Sequence, residues 1–235
     1  GVLISTAKYP KEALRDIALH YPYRARAECA LDVASMYSGG DYFEFGSAGM
    51  GTFRNFLTAF EIFDHKAGHP DTRFYAFDIF GKVKTNTNDD ANVTDYFDSW
   101  KNVETDKLEQ ARSYVQNHNI MSDNSILTQG YFEDTLDREF KSSLLEENRK
   151  IGFAFLDCNI TPSYELVFDF ILGLMADKSF LYMDEYFINA DVPMLYKEFA
   201  AKLHEEQGLN SYYMRNAGGF GALFRIMPDD YEITS

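Results

Sequence analysis

Tryptophan occurs once, cysteine twice and proline six times in these 235 residues, and the 22 lysines and arginines are far outnumbered by 37 aspartates and glutamates. Each shortage excludes something. Cys29 and Cys158 lie far apart and belong to no CxxC or Cys/His cluster, so neither a disulfide framework nor a structural zinc site is expected. Cys158 follows an apolar run and should be a buried small hydrophobe. A formal net charge of −15 makes the chain a poor candidate for gripping a phosphate backbone or an anionic membrane, so neither is expected as a partner. The longest apolar runs are cut by Asp157, Asp169 and Asp177, so none reaches membrane-spanning length. No basic segment followed by an apolar one opens the chain as a secretory signal would. A cytoplasmic location is therefore expected.

Aromatics, by contrast, are abundant: 21 Phe and 16 Tyr in a chain that is 46% hydrophobic. One sizeable core is affordable without staples, and so many aromatics make a homo-oligomer plausible. No internal repeat or low-complexity tract is visible. Residues from Lys11 to Ser38 carry apolar positions at helical spacing, interrupted at Pro22, which predicts two helices. A short strand, Asp41 to Phe45, leads into the small-residue turn Gly46-Ser47-Ala48-Gly49-Met50-Gly51 and a helix from Thr52 to Lys66.

The alternation then repeats. Strands are expected at Arg73–Phe77, Ser125–Thr128, Ile151–Leu156 and Ser179–Met183, and helices at Glu104–Asn117, Leu136–Glu147, Tyr164–Met175 and Asp191–Glu206. Short apolar strands alternating with helices imply a parallel sheet covered on both faces. The tail breaks the rhythm. Ser211–Met214 and Phe220–Ile226 are joined by too few residues for a helical crossover and should pair antiparallel. Five strand–helix units and a terminal hairpin make a Rossmann-like class I methyltransferase fold, with a mostly parallel seven-stranded sheet. A plain dinucleotide-binding fold lacks that hairpin. Residues 1–40 read as N-terminal helices capping the substrate side of a single unit, 41–235. The polar segment 81–103, with Tyr96, Phe97 and Trp100, reads either as a lid or as a surface loop.

In open α/β sheets, ligands bind beyond the carboxyl ends of the strands, and here those ends carry the chemistry. Glycines at Gly46 and Gly49 allow close backbone approach, and with Ser47 they line the first turn. Glu44, just before it, can receive the ammonium of an amino-acid-like cofactor. Asp78, ending the next strand, can accept both ribose hydroxyls of an adenosine. Gly130, Tyr131 and Phe132, after the third strand, can flank the adenine. The same segment can equally be a plain helix start, with Asp134 or Thr135 as N-cap. Asp157 ends the fourth strand and Asp184-Glu185 the fifth, so the three carboxyls should converge. They would repel one another unless something positive sits among them, and oxygen-only ligation suits Mg²⁺ or Ca²⁺. Such an ion would draw an acceptor's hydroxyls close and lower the pKa of one.

At these residues the chain resembles the macrocin-type O-methyltransferases, which act on sugars of antibiotics and related glycosides. Phe43-Glu44-Phe45-Gly46 is similar to that family's first motif, Phe77-Asp78-Ile79-Phe80-Gly81 to its FDxFxG segment, and Gly130-Tyr131-Phe132-Glu133-Asp134-Thr135-Leu136 to its GWFxDTL segment. Leu156-Asp157-Cys158-Asn159 resembles its LDxD element and Asp184-Glu185-Tyr186 its closing Asp-Asp-Tyr. Asn159 and Glu185 depart from the family's acids, Val83 stands where it has proline, and Ala176-Asp177-Lys178 replaces a glycine pair.

The resemblance implies S-adenosylmethionine (SAM) as cofactor, held by Glu44, Gly46, Ser47, Gly49, Asp78, Gly130, Tyr131, Phe132 and Asp157. It implies Mg²⁺ on Asp157, Asp184 and Glu185. It further implies methylation of a hydroxyl on a sugar or polyol-like small molecule, with an acid of this set, Asp157, as base. Three other readings stay open: N-methylation of a small amine or amino sugar, a catalytically silent SAM-binding protein, and a nucleotide-dependent oxidoreductase. No histidine follows an expected strand end, so all five read as surface or core residues.

Overall fold

In the computed structural model of the chain, the described residues are 24–47, 49–80, 108–109, 111–113, 122–217 and 220–230. They form one seven-stranded sheet. In chain order the elements are helix α1 (24–35), β1 (Asp41–Phe45), α2 (Gly51–Ile62), α3 (His65–Gly68), β2 (Phe74–Asp78), β3 (Ser125–Gln129), α4 (Phe132–Thr135), α5 (Arg138–Glu146), β4 (Ile151–Leu156), α6 (Thr161–Ile171), β5 (Met175–Met183), α7 (Asp191–Gln207), β6 (Leu209–Ala217) and β7 (Gly221–Pro228). Strand order across the sheet is β3-β2-β1-β4-β5-β7-β6. All pairings are parallel except those of β7, which runs antiparallel to both β5 and β6. The expected terminal hairpin is therefore present. Among the described residues no helix is long and apolar enough to cross a membrane.

Covered on both faces, β1 and β4 are buried at every position, which is why their sequences run apolar rather than alternating. Alternate side chains feed two separate cores. Tyr42, Phe74, Phe153 and Tyr182 face α1 and α2, and Phe43, Phe77, Leu156 and Met183 face α6 and α7. Stacked rings line both cores: Tyr42 of β1 on Phe56 of α2 in one, and Phe43 of β1 on Tyr75 of β2 in the other, both at 4.3 Å between centroids. Cys158 is buried in the second core, as its apolar context suggested.

Several element boundaries differ from the sequence reading. The helix expected over 52–66 breaks at Asp64, whose φ of 53° is left-handed, and resumes as α3. The stretch after β3 makes a one-turn helix before α5, so neither Asp134 nor Thr135 caps the longer helix; Asp137 does, accepting from the Phe140 amide at 2.7 Å. Helix α6 starts three residues earlier than expected, at Thr161, with Pro162 in its first turn where the missing N–H costs nothing. Strand β5 begins at Met175, four residues early. An irregularity in its pairing with β4, and a left-handed Lys178, let Ala176-Asp177-Lys178 join the strand. The expected helices before residue 24, most of the helix at 104–117 and the segment 81–103 lie outside the described residues.

Because the Asp137 cap is exposed and purely local, its loss isolates one hydrogen bond. Asp137→Ala is expected to lower stability by about 1 kcal/mol, measured by urea unfolding, without altering ligand binding.

Candidate functional site

The sheet order reverses between β1 and β4, and the carboxyl ends of β1, β2, β4 and β5 meet around that point. Phe45 accepts from the Asp157 amide at 2.9 Å, Phe77 from the Gly46 amide at 2.8 Å, and Leu156 from the Asp184 amide at 2.9 Å. The ladder thus continues one residue past each strand and fixes Gly46, Asp157 and Asp184 side by side. Gly46 has a φ of +91°, and a Cβ there would stand 2.0 Å from the Asp157 carbonyl oxygen.

Glu44 is buried on the face toward α1 and α2 and takes the Tyr42 hydroxyl as donor. Burial pushes its carboxyl up to about 8; the Tyr42 hydrogen bond opposes this, and the nearby negative charge of Asp157 and Asp78 adds to it. A carboxyl held this way is ready to ionise against an incoming cation. Ser47 is buried beside it, its hydroxyl directed at the Glu44 carbonyl at 3.4 Å, whereas Gly49 is exposed with open space around it. Ala48 lies outside the described residues.

Asp78, at the end of β2, accepts from the Phe80 amide at 2.7 Å. Its own carbonyl accepts from Gly130 at 3.0 Å, which draws the turn after β3 alongside. Gly130 has a φ of +151° and packs on Thr135 too closely for any side chain. Tyr131 opens α4, and Phe132 turns its ring edge-on to Phe45 with centroids 6.1 Å apart. Of the expected cofactor residues, those at β1, β2, β3 and β4 are thus gathered at one rim.

The acid cluster converges as expected, one oxygen of each of Asp157, Asp184 and Glu185 lying within 4.8 Å of the others. Something positive does sit among them, and it is a side chain the sequence reading missed. Arg26 of α1 places Nε 3.1 Å and Nη2 2.5 Å from the two oxygens of Asp184, with Nη2 also 3.1 Å from Asp157. Burial alone would depress the guanidinium, but Asp157 and Asp184 outweigh it and hold Arg26 charged. Tyr182 donates to Asp184 at 2.7 Å, and Tyr164, from α6, donates to Glu185. Burial, then the neighbouring acids, raises both Asp157 and Glu185.

A signal for Arg26 was present. Ala25, Cys29, Ala30, Val33, Ala34 and Tyr37 form the buried stripe of α1 and its continuation, and Arg26 lies on that stripe at helical spacing. A charge on an apolar stripe demands a partner. Nothing local names that partner, because Asp184 is 158 residues away. The three carboxylates suit a hard divalent cation in kind, although two of them are already engaged by the guanidinium. Three histidines fall within the described residues: His65 and His69 pack with Tyr37, and His204 is exposed beside Asp229.

No protein-family model and no curated protein matches the chain. Solved structures do. The O-methyltransferase NovP superposes with a TM-score of 0.64 at 15% identity, over 86% of this chain and 79% of NovP. The calicheamicin methyltransferase CalS11 gives 0.54 at 16%, over 94% and 87%. TomG from Streptomyces achromogenes, an O-methyltransferase involved in tomaymycin synthesis and solved with SAM, gives 0.54 at 13%, over 96% and 91%. At such identities the likeness establishes the fold that these structures share, here the expected Rossmann-like seven-stranded sheet with its antiparallel terminal hairpin.

Proposed function

We propose that this chain is a SAM-dependent methyltransferase that transfers the methyl group to a hydroxyl of a sugar-like or natural-product-like small molecule. The observation that carries the reading is the convergence of Glu44, Asp78 and Asp157 around the point where strand order reverses. The fold's likeness to NovP, CalS11 and TomG supports it.

SAM supplies an already activated methyl group, so the protein's task is alignment and removal of one proton. In this reading Glu44 receives the cofactor's ammonium and Asp78 the ribose hydroxyls. Gly46, Ser47 and Gly49 admit the chain of the ligand, and Gly130, Tyr131 and Phe132 border its base. Asp157 faces the acceptor and takes its proton. Helix α1 caps the acceptor side. Mg²⁺ on Asp157, Asp184 and Glu185 would acidify the acceptor hydroxyl, but it would have to displace Arg26 from two of these carboxyls.

Calorimetric titration with S-adenosylhomocysteine, with Mg²⁺ and again with EDTA, tests the assignment. Micromolar binding in both conditions is expected, and no binding in either would end the reading. A screen of hydroxylated and amino acceptors then separates O- from N-methylation.

The raised carboxyl of Glu44 makes a further expectation. Below pH about 8 the residue carries a proton, which must leave when the ligand's ammonium arrives. S-adenosylhomocysteine affinity should therefore climb by up to about tenfold per pH unit between pH about 6 and 8. Proton release should show as heats that differ between buffers of different ionisation enthalpy. Ligand-free stability should move the other way. The folded state holds this proton more tightly than the unfolded chain, so stability falls as pH rises from the ordinary glutamate range toward 8. Glu44→Gln should remove both the pH dependence of binding and the proton release.

A further inference from the structure

Three carboxyls at one rim call for a cation, and the fold brings its own. Helix α1 is anchored in the core through Cys29, Ala30, Val33 and Ala34, all buried. Arg26 is therefore delivered to the rim by a packed element. Its guanidinium lies 5.9 Å from the centre of the Phe155 ring, which itself stacks on Tyr182 at 4.3 Å. Nε and Nη2 grip both oxygens of Asp184, Nη2 reaches Asp157, and Tyr182 adds a donor to Asp184. The side chains of Arg26, Asp157 and Asp184 are all less than one-fifth exposed. Such a planar fork is the geometry in which arginine, unlike lysine, binds carboxylate with specificity.

Two of the three carboxyls that a divalent ion would need are engaged in this way. Ion and guanidinium would stand within a few ångströms of each other in a poorly solvated site, where like charges repel strongly. One occupant excludes the other. We propose that Arg26 is the resident cation of this rim, filling the place of a divalent metal between Asp157 and Asp184 and holding both carboxylates in position. The proposal rests on the reading of this rim as the acceptor end of a methyltransferase site. Arg26 acts there as a positioning residue through Asp157.

The test is Mn²⁺ binding followed by electron paramagnetic resonance, Mn²⁺ being a detectable ion of similar oxygen preference to Mg²⁺. It is run on the full chain with S-adenosylhomocysteine present. The wild-type protein is expected to bind Mn²⁺ no tighter than about millimolar. Arg26→Gln should bind it at least about tenfold tighter, and adding Asp184→Asn should erase that gain. Arg26→Lys keeps the charge and the stem but loses the fork, and should gain a smaller, roughly threefold increment. It also provides a second measurement where the glutamine variant is unstable. Micromolar Mn²⁺ binding by the wild type, or no gain in either Arg26 variant, overturns the proposal. Failure of S-adenosylhomocysteine to bind would instead sink the methyltransferase reading and leave the Mn²⁺ comparison readable.

Discussion

Gly46→Ala is expected to leave little or no folded protein. The Cβ would stand 2.0 Å from the carbonyl oxygen of Asp157 and 2.9 Å from its carbon. Both are backbone atoms, so no side chain can move aside. Neither strand can yield, because β1 is paired along its length to β2 and β4, and the ladder continues through Gly46 to Phe77 and from Asp157 to Phe45. To these is added the cost of a left-handed alanine at φ +91°. Strain of this kind belongs to the few substitutions that exceed about 4 kcal/mol. Soluble yield and urea unfolding by circular dichroism measure it. A variant of near wild-type stability would show that the β1–β4 junction is far more compliant than its hydrogen bonds imply. Any folded fraction should fail to bind S-adenosylhomocysteine, since the clash is relieved only by parting the strands that carry Glu44 and Asp157.

Asp157→Asn should lower turnover by about 10²–10⁴-fold, the usual worth of a positioned general base, while S-adenosylhomocysteine affinity changes only a few-fold. The amide keeps the shape but cannot take a proton. Arg26 retains both contacts to Asp184, so the guanidinium is not stranded and the fold should persist. The comparison is made by single-turnover kinetics on whichever acceptor the wild type methylates. Unchanged turnover would remove Asp157 as base and leave alignment alone, or Glu185, to account for the chemistry. A parallel loss of cofactor affinity would instead assign Asp157 to the binding of SAM.

How much of this was legible beforehand depends on the range of the interaction responsible. Strands β1, β2 and β4 were readable to within a residue because burial on both faces writes a continuous apolar run. The terminal hairpin was readable because the linker Arg215 to Gly219 cannot hold a crossover helix. The acids followed, since a residue just past a parallel strand must stand at the rim. Boundaries set by capping were harder. Asp134, Thr135 and Asp137 are all competent caps, and only the one-turn helix in front decides for Asp137. Arg26 was beyond reach for another reason. Its place on a buried stripe was visible, but an ion pair spanning 158 residues leaves no trace in local spacing. The sequence called for positive charge among the acids, and Arg26 as one source of it could not be read there.

Asp184 and Glu185 are neighbours in sequence, yet the two-residue period of the strand before them sends their attachments to opposite sides of the sheet. Asp184 is held by Tyr182 and Arg26, from the core beneath α1 and α2, and Glu185 by Tyr164, from the core beneath α6 and α7. Asp157 pairs with Arg26 and lies within 4.8 Å of Glu185, so it stands beside both arrangements. The rim is thus a hub at which two otherwise insulated compartments of the protein communicate.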